Sequence, residues 1–348
     1  MAEKKENTKM VQSSTIALNE PLKISAKHFY MPEWLKAIIA LLPALFFLIV
    51  FMIYPILNAL LISLMGNFHW VGNSESSFAV VNWIMSISSS RGGSAPNPIY
   101  WSFDNYISIM TDPSFLRSLE NTALIVVVSV PLTIIIALLL AVCINSIKVL
   151  KGFFQTVFFL PYVTNAIALG MVFNIMFSSG GPINYLFGTE GMNWLMAAQG
   201  ANRWSMFLVM TLYSIWTGLA FKILIFMSGL ATIDKQYYDA AKIDGASKAK
   251  IFAKITVPLL SPQLLYIMIT SFIGAFKAYA QIISLFGGGA YDFGGMDQKE
   301  WMTVVGYVYT MMNQNKTGQA AAASIVLLLV ILVITLFQNI VSKNRVHY

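Results

Sequence analysis

Six long apolar runs, at about residues 37–65, 119–145, 153–177, 206–230, 260–286 and 320–341, govern what this chain can fold into. Each supplies the roughly 20 apolar residues that one helix needs to cross a hydrocarbon core. Unbroken runs of this kind become helices in lipid, because a helix satisfies its own backbone polar groups. Over 348 residues, 57% are hydrophobic and only 11% charged, with a mean hydropathy of +0.68. That composition excludes an ordinary soluble domain. The expected fold is all-α, a polytopic membrane protein with six transmembrane helices. A polar tail over 1–36 precedes the first span at 37–65, and a long loop follows over 66–118. The remaining transmembrane domain occupies 117–340, and 341–348 is a short tail. The first run has no small-residue cleavage site, so it reads as a retained helix and not as a signal peptide.

The net charge of +7 is decided by where the charges fall. The tail over 1–36, the loop over 146–152, the segment over 231–259 and the C-terminal tail carry six, two, five and two basic residues. The opposite loops hold five: Arg91, Arg117, Arg203, Lys299 and Lys316. By the positive-inside bias, both termini and the 231–259 segment face the cytosol. The basic character therefore belongs to membrane orientation, and no nucleic-acid surface is expected. The single cysteine, Cys143, lies in the second run and can form no intramolecular disulfide. His28, His69 and His347 are scattered, so no metal site is expected.

Between the fourth and fifth runs lies a charged, helix-forming island, Lys235 to Pro258. Lys235–Ile243 reads as a short helix. Gly245 permits a positive φ at low steric cost, Asp244 is placed to cap a second helix over Ala246–Ile255, and Pro258 ends the element as the chain re-enters the membrane. Two short helices at an angle make a stiff, protruding elbow whose small residues invite close approach by another protein. Nothing in it resembles a catalytic constellation. Pro43, Pro55, Pro131 and Pro161 lie inside apolar runs and predict bent helices around an interior. The 66–118 loop, rich in Gly, Ser, Asn and Trp, reads either as a cap over the helices or as a landing surface for an external partner.

The order Tyr238, Asp239, Ala240, Ala241, Asp244, Gly245, then Ile255 and Pro258, resembles the EAA loop of permease subunits of binding-protein-dependent ABC importers. Asp239 stands where Glu is usual, one methylene shorter with the same charge. Further words narrow the resemblance to the carbohydrate-uptake class, the maltose-type or glycerol-phosphate-type first permease: Phe103-Asp104-Asn105-Tyr106, Asp112-Pro113, Asn121-Thr122, Lys151-Gly152-Phe153-Phe154, Leu160-Pro161, Gly181-Pro182-Ile183-Asn184, Trp216-Thr217-Gly218-Leu219 and Gly318 to Ser324. The likeness covers about 103–340. One departure is Gly287-Gly288-Gly289-Ala290, where many relatives carry a Gly-Gly-Pro turn. The resemblance implies the type I importer transmembrane domain in a bacterial plasma membrane, forming half of a path completed by a homologous second permease. It also implies two ATP-binding subunits that grip the elbow, and an extracytoplasmic solute-binding protein. ATP and Mg belong to those partner subunits; this chain is expected to bind no cofactor, and it has no Gly-x-x-x-x-Gly-Lys-[Ser/Thr] phosphate loop.

Lysine inside a span costs on the order of 2.5–3.5 kcal/mol on insertion scales, so Lys222 and Lys277 need an account. Each either faces a hydrated path or is structural, satisfying a broken-helix carbonyl or snorkelling to an interface. Gly218, Tyr279 and Gln281 lie close to them in sequence and join them as candidates for the substrate path. Asn165 and Asn174 of the third run contact solute or, by default, form helix–helix hydrogen bonds. Polyols, glycerol-phosphate-like esters and uronates are the alternative solutes to a sugar. An ion-driven secondary carrier would need a membrane-embedded acid, yet every Asp and Glu lies in a loop or at a span end. An assembly factor without a solute path would leave the intramembrane polar residues unexplained.

Overall fold

The computed structural model describes residues 32–66, 100–147, 149–189, 191–196, 200–279, 284–286 and 301–343. Two compact units emerge, Met1–Pro55 and Ile56–Tyr348. The first is described by one helix. This helix, α1 (Glu33–Ser63), carries a π turn at Ile49–Ile53, ahead of Pro55, whose ring nitrogen cannot donate to the ladder.

In the second unit a two-residue strand β1 (Met65–Gly66) pairs antiparallel with β2 (Tyr100–Trp101), Met65 opposite Trp101. Residues 67–99, most of the expected 66–118 loop, lie outside the described residues. Helix α2 (Asp104–Thr111) follows. Its Asn105 donates to the Ser63 and Met65 carbonyls and stands where a Cβ on Gly318 would come within 2.7 Å. Asp112 then accepts from the Ser114 amide at 2.9 Å, and Pro113 occupies the first turn of α3 (Pro113–Ser146). Both choices suit a helix start, where amides lack intrahelical partners. Tyr307 donates to the other Asp112 oxygen at 2.7 Å. Burial, with that carboxylate beside it, raises the Tyr307 phenol above its ordinary pKa and keeps it a neutral donor.

The third run differs from the single bent span expected. It forms α4 (Lys151–Val163) and α5 (Ala166–Met176), which meet at 100°. Short α6 (Pro182–Phe187) leads to α7 (Arg203–Thr232). The elbow comprises α8 (Lys235–Ile243) and α9 (Lys248–Leu259); α10 (Ser261–Phe276) leaves α9 at 68°. The fifth helix thus stops about ten residues before the apolar run does. Helices α11 (Val304–Asn313) and α12 (Thr317–Lys343) complete the chain. Among the described residues four helices are singly long and apolar enough to cross a membrane, and the number is six where each bent pair counts as one span.

Helices α3, α7, α10 and α12 share one core, in which Ala137, Ala141, Phe226, Leu260, Ile267, Ala322 and Ala323 are fully buried. Small residues let helices approach closely where lipid supplies no hydrophobic drive. The opposite faces, with Val127, Ile135 and Leu139 on α3 and Leu332, Leu336 and Phe337 on α12, are exposed as a lipid-facing surface allows. At the far end from the elbow, a polar clamp joins α3, α7 and the entry to α11. Arg203 reaches Glu120 at 2.8 Å and Asn121 at 3.1 Å, and lies 5.3 Å from the Trp301 ring centre. Trp301 donates to the Arg203 carbonyl at 3.0 Å, Asn121 donates to the Met302 carbonyl, and the Val304 amide donates to Thr122 Oγ1 at 3.0 Å.

Thr122→Val keeps the shape but leaves that buried amide unpaired, so we expect a loss of about 1–3 kcal/mol. The thermal unfolding midpoint in detergent should fall for Thr122→Val and stay near the parent for Thr122→Ser; equal midpoints for all three would refute the clamp's contribution.

Candidate functional site

The elbow is built by its caps. Asp234 accepts from the Gln236 amide at 3.0 Å and opens α8. At the other end Ala246 donates to the Ala241 carbonyl at 2.9 Å and Gly245 donates to the Lys242 carbonyl at 3.0 Å. With Gly245 at φ +69°, this pair of reversed bonds is a Schellman closure, which needs a left-handed residue just past the helix. Asp244 is consequently the C-cap of α8, not the N-cap of the next helix as expected. Ser247 takes that role, accepting from the Lys250 amide. Pro258 also differs: it lies within the last turn of α9, and the chain bends two residues later at Leu260.

Within this frame Ala241 is buried and Ala240 exposed. Asp239 pairs with Lys242 at 2.8 Å in the open. Tyr238 is half-buried, its hydroxyl 3.3 Å from that of Thr256 in the π turn Phe252–Thr256, which also holds the half-buried Ile255. That contact locks the two arms of the elbow together. Ile243 projects from the tip with 88% of its surface exposed, beside charged neighbours. The elbow's root is tight as well: a Cβ on Gly229 would lie 2.7 Å from Leu260 and 2.9 Å from Gln263, so α7 touches the α9–α10 bend almost backbone to side chain.

The residues expected along a solute path separate into two kinds. Asn165 caps α5, accepting from the Ile167 and Ala168 amides. Asn174 donates to the Leu285 carbonyl and so ties α5 to the segment beyond α10. Lys277 is not inside a span: it is the exposed C-cap of α10, where helix carbonyls favour a cation. Tyr279 is half-buried with its ring 5.1 Å from that of Tyr309. Gln281 and Gly287–Ala290 lie outside the described residues. Lys222 does sit within α7, half-buried, its Nζ donating to the Gly218 carbonyl at 3.0 Å. Gly218 gives it room, since a Cβ there would lie 3.1 Å from Nζ and 3.3 Å from Thr133 of α3.

Residues 129–347 match the family described as binding-protein-dependent transport system inner membrane component. The chain belongs to that family. It is therefore a transport permease, as its elbow and motif words imply. The arabinooligosaccharides transport system permease protein AraP of Halalkalibacterium halodurans is 32% identical over 67% of this chain and 72% of the relative. The lactose transport system permease protein LacF of Rhizobium radiobacter is 29% identical over 84% and 89%. The sn-glycerol-3-phosphate transport system permease protein UgpA of Agrobacterium fabrum is 30% identical over 70% and 81%. A bacterial ABC transporter involved in the import of the acidic polysaccharide alginate has a chain of the same fold. Its TM-score is 0.68 at 19% identity, covering 89% of this permease and 96% of that chain.

Several residues that hold the permease together were not singled out in the sequence as site residues. Tyr213 of α7 donates to the Ala166 carbonyl at 2.6 Å, beside the α4–α5 break. Asn184, one of the family words, donates to the Ser178 and Met192 carbonyls and accepts from Thr189 and Trp194, so the motif is a loop fastener. Only the pair Asn202 and Ser205 carries a local signal, the reciprocal capping box that opens α7.

Nothing lies within 4 Å of a Cβ built on Gly245, so a substitution there meets backbone strain and no clash. We expect Gly245→Val to weaken the α8 closure by about 1–2 kcal/mol, speeding amide exchange at Gly245 and Ala246 roughly 5–30-fold. Gly245→Asn, which tolerates the left-handed region, should retain most of the protection; equal exchange in both variants would refute the closure.

Proposed function

We propose that this permease forms half of the translocation path of an ATP-driven importer for a sugar or oligosaccharide, working by alternating access. A homologous second permease completes the path, two ATP-binding subunits carry ATP and Mg, and an extracytoplasmic solute-binding protein delivers the solute. The chain itself binds no nucleotide or metal and hydrolyses nothing. The single observation that carries the reading is the doubly capped, internally locked elbow, Asp234 to Leu260, rooted against α7 at Gly229. Its charged, exposed surface with Ile243 at the tip is what a protein cleft in water would grip, and its root lies at the bend into α10. Closure of the ATP-binding pair then tilts α10 against α7. In this reading Tyr238, Asp239, Ala240, Ala241, Asp244, Gly245, Ile255 and Pro258 act in coupling. Both termini face the cytosol of a bacterial plasma membrane, as the distribution of Lys and Arg favours.

A sugar or oligosaccharide as solute is supported by the relatives named for arabinooligosaccharides and lactose. A glycerol-phosphate-like or uronate solute is the second reading, favoured by the relative named for sn-glycerol 3-phosphate and by Lys222 in α7.

Asp239→Lys and Gly245→Val should leave the complex assembled while the binding protein no longer stimulates its ATPase, a loss of about tenfold or more. The measurement is ATPase activity of the reconstituted complex with and without loaded binding protein. Full stimulation in both variants would remove the elbow from the coupling route.

A further inference from the structure

Among the described residues Lys222 is a cation without an anion. Residues 121–189, 191–233, 245–291 and 301–348 contain no Asp or Glu, so α5, α7, α10 and α12 offer it no carboxylate. The one acid of α3, Glu120, sits at the clamp end with Arg117 and Arg203. Among the described residues its hydrogen bond is to the Gly218 carbonyl, which already lies in the α7 ladder, so N–H donors of the ammonium remain unspent. The side chain reaches one turn back toward the helix start. Ten residues, about 15 Å, separate Lys222 from the elbow end of α7, and it points away from that end, so it does not snorkel there. Lys277 has a helix terminus to explain it; Lys222 has nothing of the kind.

Its surroundings identify the face it serves. Tyr162, at the end of α4, stacks on Phe221 with ring centres 5.9 Å apart. The unwound link Thr164–Asn165 between α4 and α5 therefore lies at nearly the depth of Lys222. Non-helical backbone at membrane depth is tolerated where it lies buried in protein or lines a water-filled cavity. Thr164 and Asn165 are exposed, so this chain's own helices do not bury the link. A cation, two aromatic rings and an exposed backbone link thus converge on one stretch of α7.

We propose that Lys222 reads an acidic group on the transported solute, so that the cargo carries a carboxylate or a phosphate and is not a neutral sugar. This rests on the importer reading and selects, of its two solute readings, the acidic one. Gly218 is then a positioning residue, keeping the space in which Nζ lies against Thr133.

The test uses the intact importer in the cells that encode it. Uptake of labelled lactose, arabinotriose, sn-glycerol 3-phosphate and digalacturonate is measured for the parent, a deletion of the chain, Lys222→Met, Lys222→Gln and Lys222→Arg. Deletion should abolish uptake of an acidic probe. Lys222→Met and Lys222→Gln should lower it about tenfold or more, mainly through KM, and Lys222→Arg should recover most of it. Copurification of the second permease and the ATP-binding subunits should be unchanged throughout. Chain-dependent uptake of neutral probes alone, or acidic uptake indifferent to Lys222→Met, overturns the proposal while the importer stands. Loss of the second permease from both neutral variants also overturns it, because the missing anion is then a partner side chain. If no probe depends on the chain the proposal falls, and if no ATP-binding subunit copurifies the importer reading falls with it.

Discussion

Backbone groups freed inside a membrane must find partners in the protein or in a water-lined cavity, and the break between α4 and α5 shows how far the rest of this permease is arranged around that demand. Pro161 removes one donor just before the chain turns by 100°. Asn165 restores the cap at the new helix start, Tyr213 of α7 takes the Ala166 carbonyl, and Asn174 reaches the segment beyond α10. An unpaired group in hydrocarbon would cost several kcal/mol, so these three side chains fix where α5, α7 and the 284–286 segment lie. Packing follows from that. Gly170 leaves no room for a Cβ against Ser284, and Phe173 meets Tyr213 edge to face at 5.2 Å.

The elbow obeys a different rule because it is charged and exposed. Its rigidity comes from ordinary caps and from one hydroxyl pair, Tyr238 with Thr256, while Phe252, Val257 and Leu260 pack it against the core. Gly229 meets Leu260 and Gln263 where any larger residue would collide, and the buried Gln263 Oε1 has no hydrogen-bond partner. At the opposite end, α3, α7 and the entry to α11 are pinned by Arg203, Asn121, Thr122 and Trp301. The end away from the elbow is thus tied by directional bonds across three elements, while close packing joins α7 to the elbow's root.

Much of this was legible in the residues. Lipid demands long apolar runs, so the spans announce themselves, and the elbow stands out because a charged island with Asp239, Ala240, Ala241 and Gly245 has no business in a simple connection. What the sequence conceals is decided by partners. Pro43, Pro131 and Pro161 look alike in the chain, yet α1 and α3 continue through theirs and only α4 ends. The difference lies with partners remote in sequence: Tyr213 donates to the Ala166 carbonyl beside the break, and the Asn174 side chain reaches the Leu285 carbonyl. Asp244 misled for a local reason: Asp is a good cap at either side of a turn, and the left-handed Gly245 settles that it closes α8 while Ser247 opens α9. The fifth run hid its end because apolar residues continue past Lys277, and hydropathy does not register a change of backbone direction.

The two lysines placed inside spans by hydropathy make the same point in chemical terms. Composition treats Lys222 and Lys277 as equal anomalies. The backbone separates them: Lys277 ends a helix, where three or four carbonyls lack partners and a cation is welcome, whereas Lys222 sits where the α7 ladder is complete and no carboxylate of its neighbours can approach. Gly218 sharpens the contrast, since the fold gives up a side chain to leave the ammonium its space against Thr133. A residue for which the fold makes room, and which no described side chain neutralises, is where an anion from outside the chain would be received.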